Sequence, residues 1–170
     1  MEKVPFKYDP GIARQATQVI NKVRKLVAGA VEMVYDNYDG LVIGFVPNEK
    51  ASLAVLSVFL ASNHVTLCFL RGAGLPDPGK RLAGSGNVVR QIKLEGSADL
   101  DDPEIRELIC TALIRAKVAI DPKAKRKMVI KSVSRKQRPR IPAGKKTQTS
   151  GFLLAQSVVK AGNPMGQNMA

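Results

Sequence analysis

Apolar residues recur at three- and four-residue spacing from Ile12 through Ala16, Val19, Ile20, Val23 and Val27, with Arg14, Gln18, Lys22 and Lys25 off that stripe. A stripe of this period is one face of an α-helix. Asp9-Pro10 supplies its start, a capping carboxylate followed by the one residue pre-set for the first turn, and Gly29 supplies its stop. The spacing predicts a helix over residues 10–28. Alternation then takes over. Val31, Met33 and Tyr35 alternate with Glu32 and Asp36, Asn37-Tyr38-Asp39-Gly40 makes a turn, and Leu41 to Val46 returns as a second strand. Leu53 to Leu60 and Val65 to Leu70 read as a third and a fourth strand joined through Ser62-Asn63-His64. Both are apolar on two faces, as central strands are, or as strands are that leave one side of a sheet open. A glycine- and proline-rich loop over 71–87 leads to a fifth strand, Val88 to Leu94. Asp102-Pro103-Glu104 repeats the helix-start logic, and Ile105, Leu108, Ile109, Ala112, Leu113 and Ala116 give a second amphipathic helix over 103–117. Met128 to Val133 fits a short edge strand, and Phe152 to Val159 is a brief apolar island.

Helix, run of strands, helix implies an α+β fold: an antiparallel sheet of about five strands with an N-terminal and a C-terminal helix on one face. The chain has 170 residues, enough for one such domain and a tail. Charge divides it. Residues 1–120 hold 15 basic and 13 acidic side chains, a net of +2, whereas residues 121–170 hold 12 basic side chains and the single acid Asp121, a net of +11. This asymmetry predicts an α+β domain over 1–120, a basic extension over 121–142 and a flexible tail over 143–170. The N-terminus lacks the apolar run of a signal peptide and no stretch is long and apolar enough for a membrane span, so a cytoplasmic protein without membrane contact is expected. Cys68 and Cys110 both fall inside apolar periodic segments and read as reduced, buried and inert.

Candidate chemistry is sparse. Asp99, Asp101, Asp102, Glu104 and Glu107 could serve a cation as oxygen ligands, but their position before a helix is explained by capping and the helix dipole. His64 is the sole histidine and has no cysteine at ligand spacing, so it reads as a turn residue. Gly72, Gly74, Gly79, Gly84 and Gly86 lack the strand–turn–helix frame of a phosphate loop. No metal, cofactor or catalytic set is expected, and the chain reads as a non-enzyme. Tyr35, Tyr38, Phe45 and Phe69 are candidates to line an apolar ligand hollow, against the plainer reading of ordinary core. Lys125, Arg126, Lys127, Lys131, Arg135, Lys136, Arg138 and Arg140 are candidates for contact with nucleic acid or another polyanion, against the plainer reading of a solvated tail. No aromatic residue is interleaved between Lys123 and Lys146, so base stacking is not indicated.

Several stretches in fixed order carry a family resemblance. They are Val34-Tyr35-Asp36-Asn37-Tyr38, Leu41-Val42-Ile43-Gly44-Phe45, Val65-Thr66-Leu67-Cys68-Phe69-Leu70-Arg71-Gly72, Leu75-Pro76-Asp77-Pro78, Gly84-Ser85-Gly86, Leu100-Asp101-Asp102-Pro103 and Ile130-Lys131-Ser132-Val133-Ser134. Over about residues 10–142 the chain resembles the YdhG-like family, a bacterial group of domains of unknown function. The resemblance implies an antiparallel sheet with helices packed on it. It also implies, through relatives described as frataxin-like, an alternative role as an intracellular iron chaperone. Such a role calls for a carboxylate-rich surface, whereas the first helix has Arg14, Lys22, Arg24 and Lys25 and no acid. The expected function is therefore a non-enzymatic binding module for a small apolar ligand or a protein partner, with a basic tail for weak polyanion contact.

Overall fold

The computed structural model describes residues 7–141. Among these, two α-helices and six strands form one α+β unit: α1 (Pro10–Leu26), β1 (Val31–Asp36), β2 (Leu41–Val46), β3 (Leu56–Leu60), β4 (Val65–Phe69), β5 (Arg90–Leu94), α2 (Pro103–Ile114) and β6 (Lys127–Val133). The strand order is β5-β4-β3-β2-β1-β6. Neighbours from β1 to β5 are antiparallel, as hairpins require, but β6 runs parallel to β1. The sheet is thus mixed and six-stranded, a correction to the expected antiparallel sheet of about five. The difference lies wholly in the basic segment, whose expected edge strand pairs with β1 in parallel and makes the sixth strand.

Both helices start as their sequences dictate. The Asp9 carboxylate accepts the Gly11 N–H at 2.9 Å and the Asp102 carboxylate accepts the Glu104 N–H at 2.9 Å, each followed by proline. Ala16, Val19, Ile20 and Val23 of α1 and Ile105, Leu108 and Ile109 of α2 join one apolar cluster with alternate residues of the strands, among them Leu41, Ile43, Phe45, Leu56, Val58, Leu67 and Phe69. Cross-strand register puts these strand residues on one face: Phe45 lies opposite Leu56, and Leu56 opposite Phe69. Full burial of each large aliphatic side chain there stabilises the fold by roughly 1.5–3 kcal/mol. Gln15 ties α1 to the far strand, its amide donating to the Leu94 carbonyl at 2.7 Å.

Element ends shift for local reasons. Ala51–Leu53 forms a 3-10 turn, so β3 begins at Leu56. Val88 and Val89 stay exposed and β5 begins at Arg90. The chain turns after Ile114, where the Ala116 N–H donates to the Leu113 carbonyl, so α2 is shorter than its apolar spacing suggests. Gly29 has φ +82°, and a Cβ there would meet the Asp121 carbonyl oxygen at 1.8 Å. The backbone leading to β6 therefore crosses directly over the end of α1, through space that only glycine leaves.

A candidate polyanion-binding strip on the sixth strand

The strip begins with a buried acid. Glu32 projects from β1 on the helix side and is 1% exposed. Arg24 of α1 grips it twice, Nε to Oε1 at 2.9 Å and Nη2 to Oε2 at 2.7 Å. Arg126, one residue before β6, donates Nε to the same Oε1 at 2.8 Å. Two guanidiniums thus satisfy one carboxylate and join helix, inner strand and edge strand. Lys127 pairs with Glu49 at the surface, which, with help from Lys131, holds the Glu49 carboxyl below its ordinary range.

Beyond β6, residues 134–140 strap along the β1–β2 turn. The Ser134 N–H donates to the Asp36 carbonyl at 2.8 Å and the Arg138 N–H to the Tyr38 carbonyl at 2.9 Å. Arg138 lies 5.7 Å over the Tyr38 ring and 3.5 Å from Asp39. Arg140 is buried. Its Nη2 donates to Asp36 Oδ1 at 3.1 Å and to the Asn37 carbonyl, and its guanidinium lies 5.5 Å from the Tyr8 ring centroid. Arg140 Nε and Nη1 have no hydrogen-bond partner among the described residues. Lys7 reaches the same Asp36 at 3.1 Å and donates to Gln137 Oε1 at 2.9 Å.

The eight candidate cations therefore fall into two sets. Arg126, Lys127, Arg138 and Arg140 are ion-paired to the body. Lys125, Lys131, Arg135 and Lys136 are exposed, and with Lys123 they make no side-chain ion pair among the described residues. Lys131 is the extra residue of a bulge between Ile130 and Ser132. The sequence showed charge density but not this division, because the partners lie up to 104 residues away.

The four aromatic candidates are not brought together. Phe45 and Phe69 are each 1% exposed in the core beneath the helices. Tyr35 is an odd number of residues from Glu32 and so projects from the opposite face, where its hydroxyl meets Met33 Sδ at 3.6 Å. Tyr38 is half exposed on the turn, under Arg138. Phe45 and Phe69 share the core face, Tyr35 lies on the opposite face and Tyr38 on the turn, so the four line no common hollow.

Other candidates settle into structural roles. Asp99 accepts the Glu95 N–H at 2.7 Å, Asp102 caps α2 and pairs with Arg81, and Asp101 faces Lys22 and Arg106. Lys22 holds the Asp101 carboxyl below its ordinary range. In the glycine-rich loop the Asp77 carboxylate accepts the Arg81 and Leu82 amides, each at 2.8 Å, so those amides serve the loop's own fold. His64 faces Asn63 in its turn at 2.7 Å. Cys68 is half-buried, and burial pushes its thiol up, whereas Cys110 is exposed on α2. That corrects the expectation of two buried thiols: Cys110 follows Ile109 but points off the core-facing stripe of the helix. No helix among the described residues is long and apolar enough to cross a membrane. Comparisons of the chain with protein-family profiles, curated proteins and solved structures find no match.

Proposed function

We propose that the chain is a non-enzymatic binding module that holds a polyanionic partner against β6, within an architecture of the YdhG-like kind that its motifs resemble. One observation carries the reading. Lys123, Lys125, Lys131, Arg135 and Lys136 are exposed, within β6 or next to it in the chain, with no side-chain ion pair among the described residues, while their neighbours Arg126, Lys127, Arg138 and Arg140 fasten the segment in place. A fastened cationic row loses little further order on binding, whereas a mobile basic tail must be ordered at that moment. Counterion release from the partner supplies the attraction.

Salt elution from a heparin column tests this. Replacing Lys125, Lys131, Arg135 and Lys136 together by glutamine is expected to lower the eluting salt concentration sharply. Replacing four exposed cations elsewhere, Arg14, Lys25, Lys50 and Lys80, removes the same charge and is expected to lower it little. Equal shifts in the two variants would mean that net charge alone governs retention, and the assignment to β6 would fall.

A further inference from the structure

The sheet has two outer edges, and they are treated differently. Beside β5, Ala83 exchanges two backbone hydrogen bonds with Gln91, at 2.8 and 2.9 Å, so the glycine-rich loop covers that edge at Gln91. Beside β6, no strand or bridge among the described residues occupies the outer side. An edge strand turns unpaired N–H and C=O groups outward along its length. Five of the seven residues of β6 are exposed, and two of these are large and apolar: Ile130 at 69% and Val133 at 62%. Lys123 and Lys125 precede the strand in the chain, Lys131 lies within it, and Arg135 and Lys136 follow it, all exposed.

We infer that this edge takes up an acidic, extended peptide segment as a seventh strand, with acidic side chains set toward the lysine and arginine row and apolar ones beside Ile130 and Val133. The inference rests on the polyanion reading above and names its partner class. Charge complementarity selects an acidic strand. The same lysines set one copy of the chain against another, which disfavours pairing of two β6 edges. A nucleic acid would use the cations but would leave both the outward backbone groups and the apolar pair unused, and β6 itself carries no aromatic ring for its bases. Main-chain hydrogen bonds then supply affinity and the alternating side chains supply selectivity. The bulge at Lys131 interrupts the ladder, so the first half of β6, Lys127–Ile130, is the better docking stretch.

The probe is a short peptide alternating glutamate and valine, blocked at both ends, titrated against the full chain by fluorescence anisotropy. Two further peptides carry backbone N-methyl groups on one or the other set of alternate residues. One of the two is expected to bind about tenfold more weakly than the parent and the other nearly as well, because only one set of amides faces β6. Peptide binding is also expected to slow hydrogen exchange at amides of residues 127–133. Equal binding of all three peptides, or unchanged exchange, would overturn strand addition while heparin retention leaves the polyanion reading in place. A short DNA duplex that binds at least as tightly at the same salt would overturn it in favour of nucleic acid. A dimer in sedimentation that is lost in Ile130→Lys/Val133→Lys would overturn it in favour of a second copy. Loss of peptide affinity in Lys125→Glu/Lys131→Glu together with unchanged thermal stability would support it, and failure of the glutamine variant to alter heparin retention would remove the underlying reading as well.

Discussion

Replacing Glu32 by glutamine removes one charge and almost no volume. Glu32 is 1% exposed and receives three hydrogen bonds from two guanidiniums. Breaking a buried ion pair by neutralising one partner typically costs about 3–5 kcal/mol, because the other partner is left buried and uncompensated. The two arginines do not share that cost equally. The Arg24 side chain is 15% exposed and cannot regain its hydration, whereas Arg126 is 50% exposed and can swing into water. The loss should therefore sit at the lower end of the range, about 3 kcal/mol, a large share of the roughly 5–15 kcal/mol that holds a domain together. For a domain of this size that corresponds to about 6–12 °C in Tm. Urea denaturation should show a lower midpoint with an unchanged slope, and the difference should persist at high salt because the site is shielded from bulk ions. Arg126→Gln should cost far less, about 1 kcal/mol or below. A Glu32→Gln chain within about 1 kcal/mol of the parent would show that the triad does not hold helix, strand and edge together, and the account of a fastened strip would fail with it.

Other outcomes follow from single groups. Exposed Cys110 should react with a thiol-specific reagent well before Cys68, whose thiol is held up by burial; comparable rates in the folded chain would contradict the placement. The buried Tyr8 hydroxyl donates to the Leu60 carbonyl at 3.2 Å and accepts the Leu41 N–H at 3.0 Å, and burial raises its pKa above 10.0. The folded state therefore holds this proton more tightly than the unfolded chain. Its contribution is complete below pH 10.0 and is lost as pH rises through the higher folded value, so tyrosinate absorbance should reveal one late tyrosine whose titration coincides with unfolding and vanishes in Tyr8→Phe. Arg140→Met should leave stability within about 1 kcal/mol of the parent or raise it, because two nitrogens of the buried guanidinium have no hydrogen-bond partner among the described residues and Lys7 still faces Asp36. A loss of several kcal/mol in denaturant would mean that the Arg140–Asp36 contact outweighs its desolvation.

Local grammar was the legible part of this chain. Asp-Pro starts, the apolar stripes of α1 and α2 and the hairpin turns are short-range signals, and the structure places both helices and the first five strands close to where those signals put them. The destination of β6 was not legible. Met128–Val133 reads as a strand from its composition, yet nothing local says that it lies parallel to β1 or that Glu32 waits there for Arg126. The sequence distance between those two residues is 94, and a charge pattern carries no address. Alternation also concealed the fate of the aromatic residues: Tyr35 and Phe45 sit in adjoining strands but on opposite sides, a matter of register that residue types alone do not reveal.

The position of β6 has a consequence for synthesis. A strand whose neighbour follows the rest of the sheet in the chain must wait, on the ribosome, until the other strands and both helices have emerged. Until then β1 is an outermost strand, with Glu32 answered by Arg24 alone. Closing the last rung also fixes a loop of 94 residues, the kind of long-range step that slows folding. Assembly of the sheet and display of its cationic border are then one event, so a nascent chain presents that border only once the rest of the domain is in place.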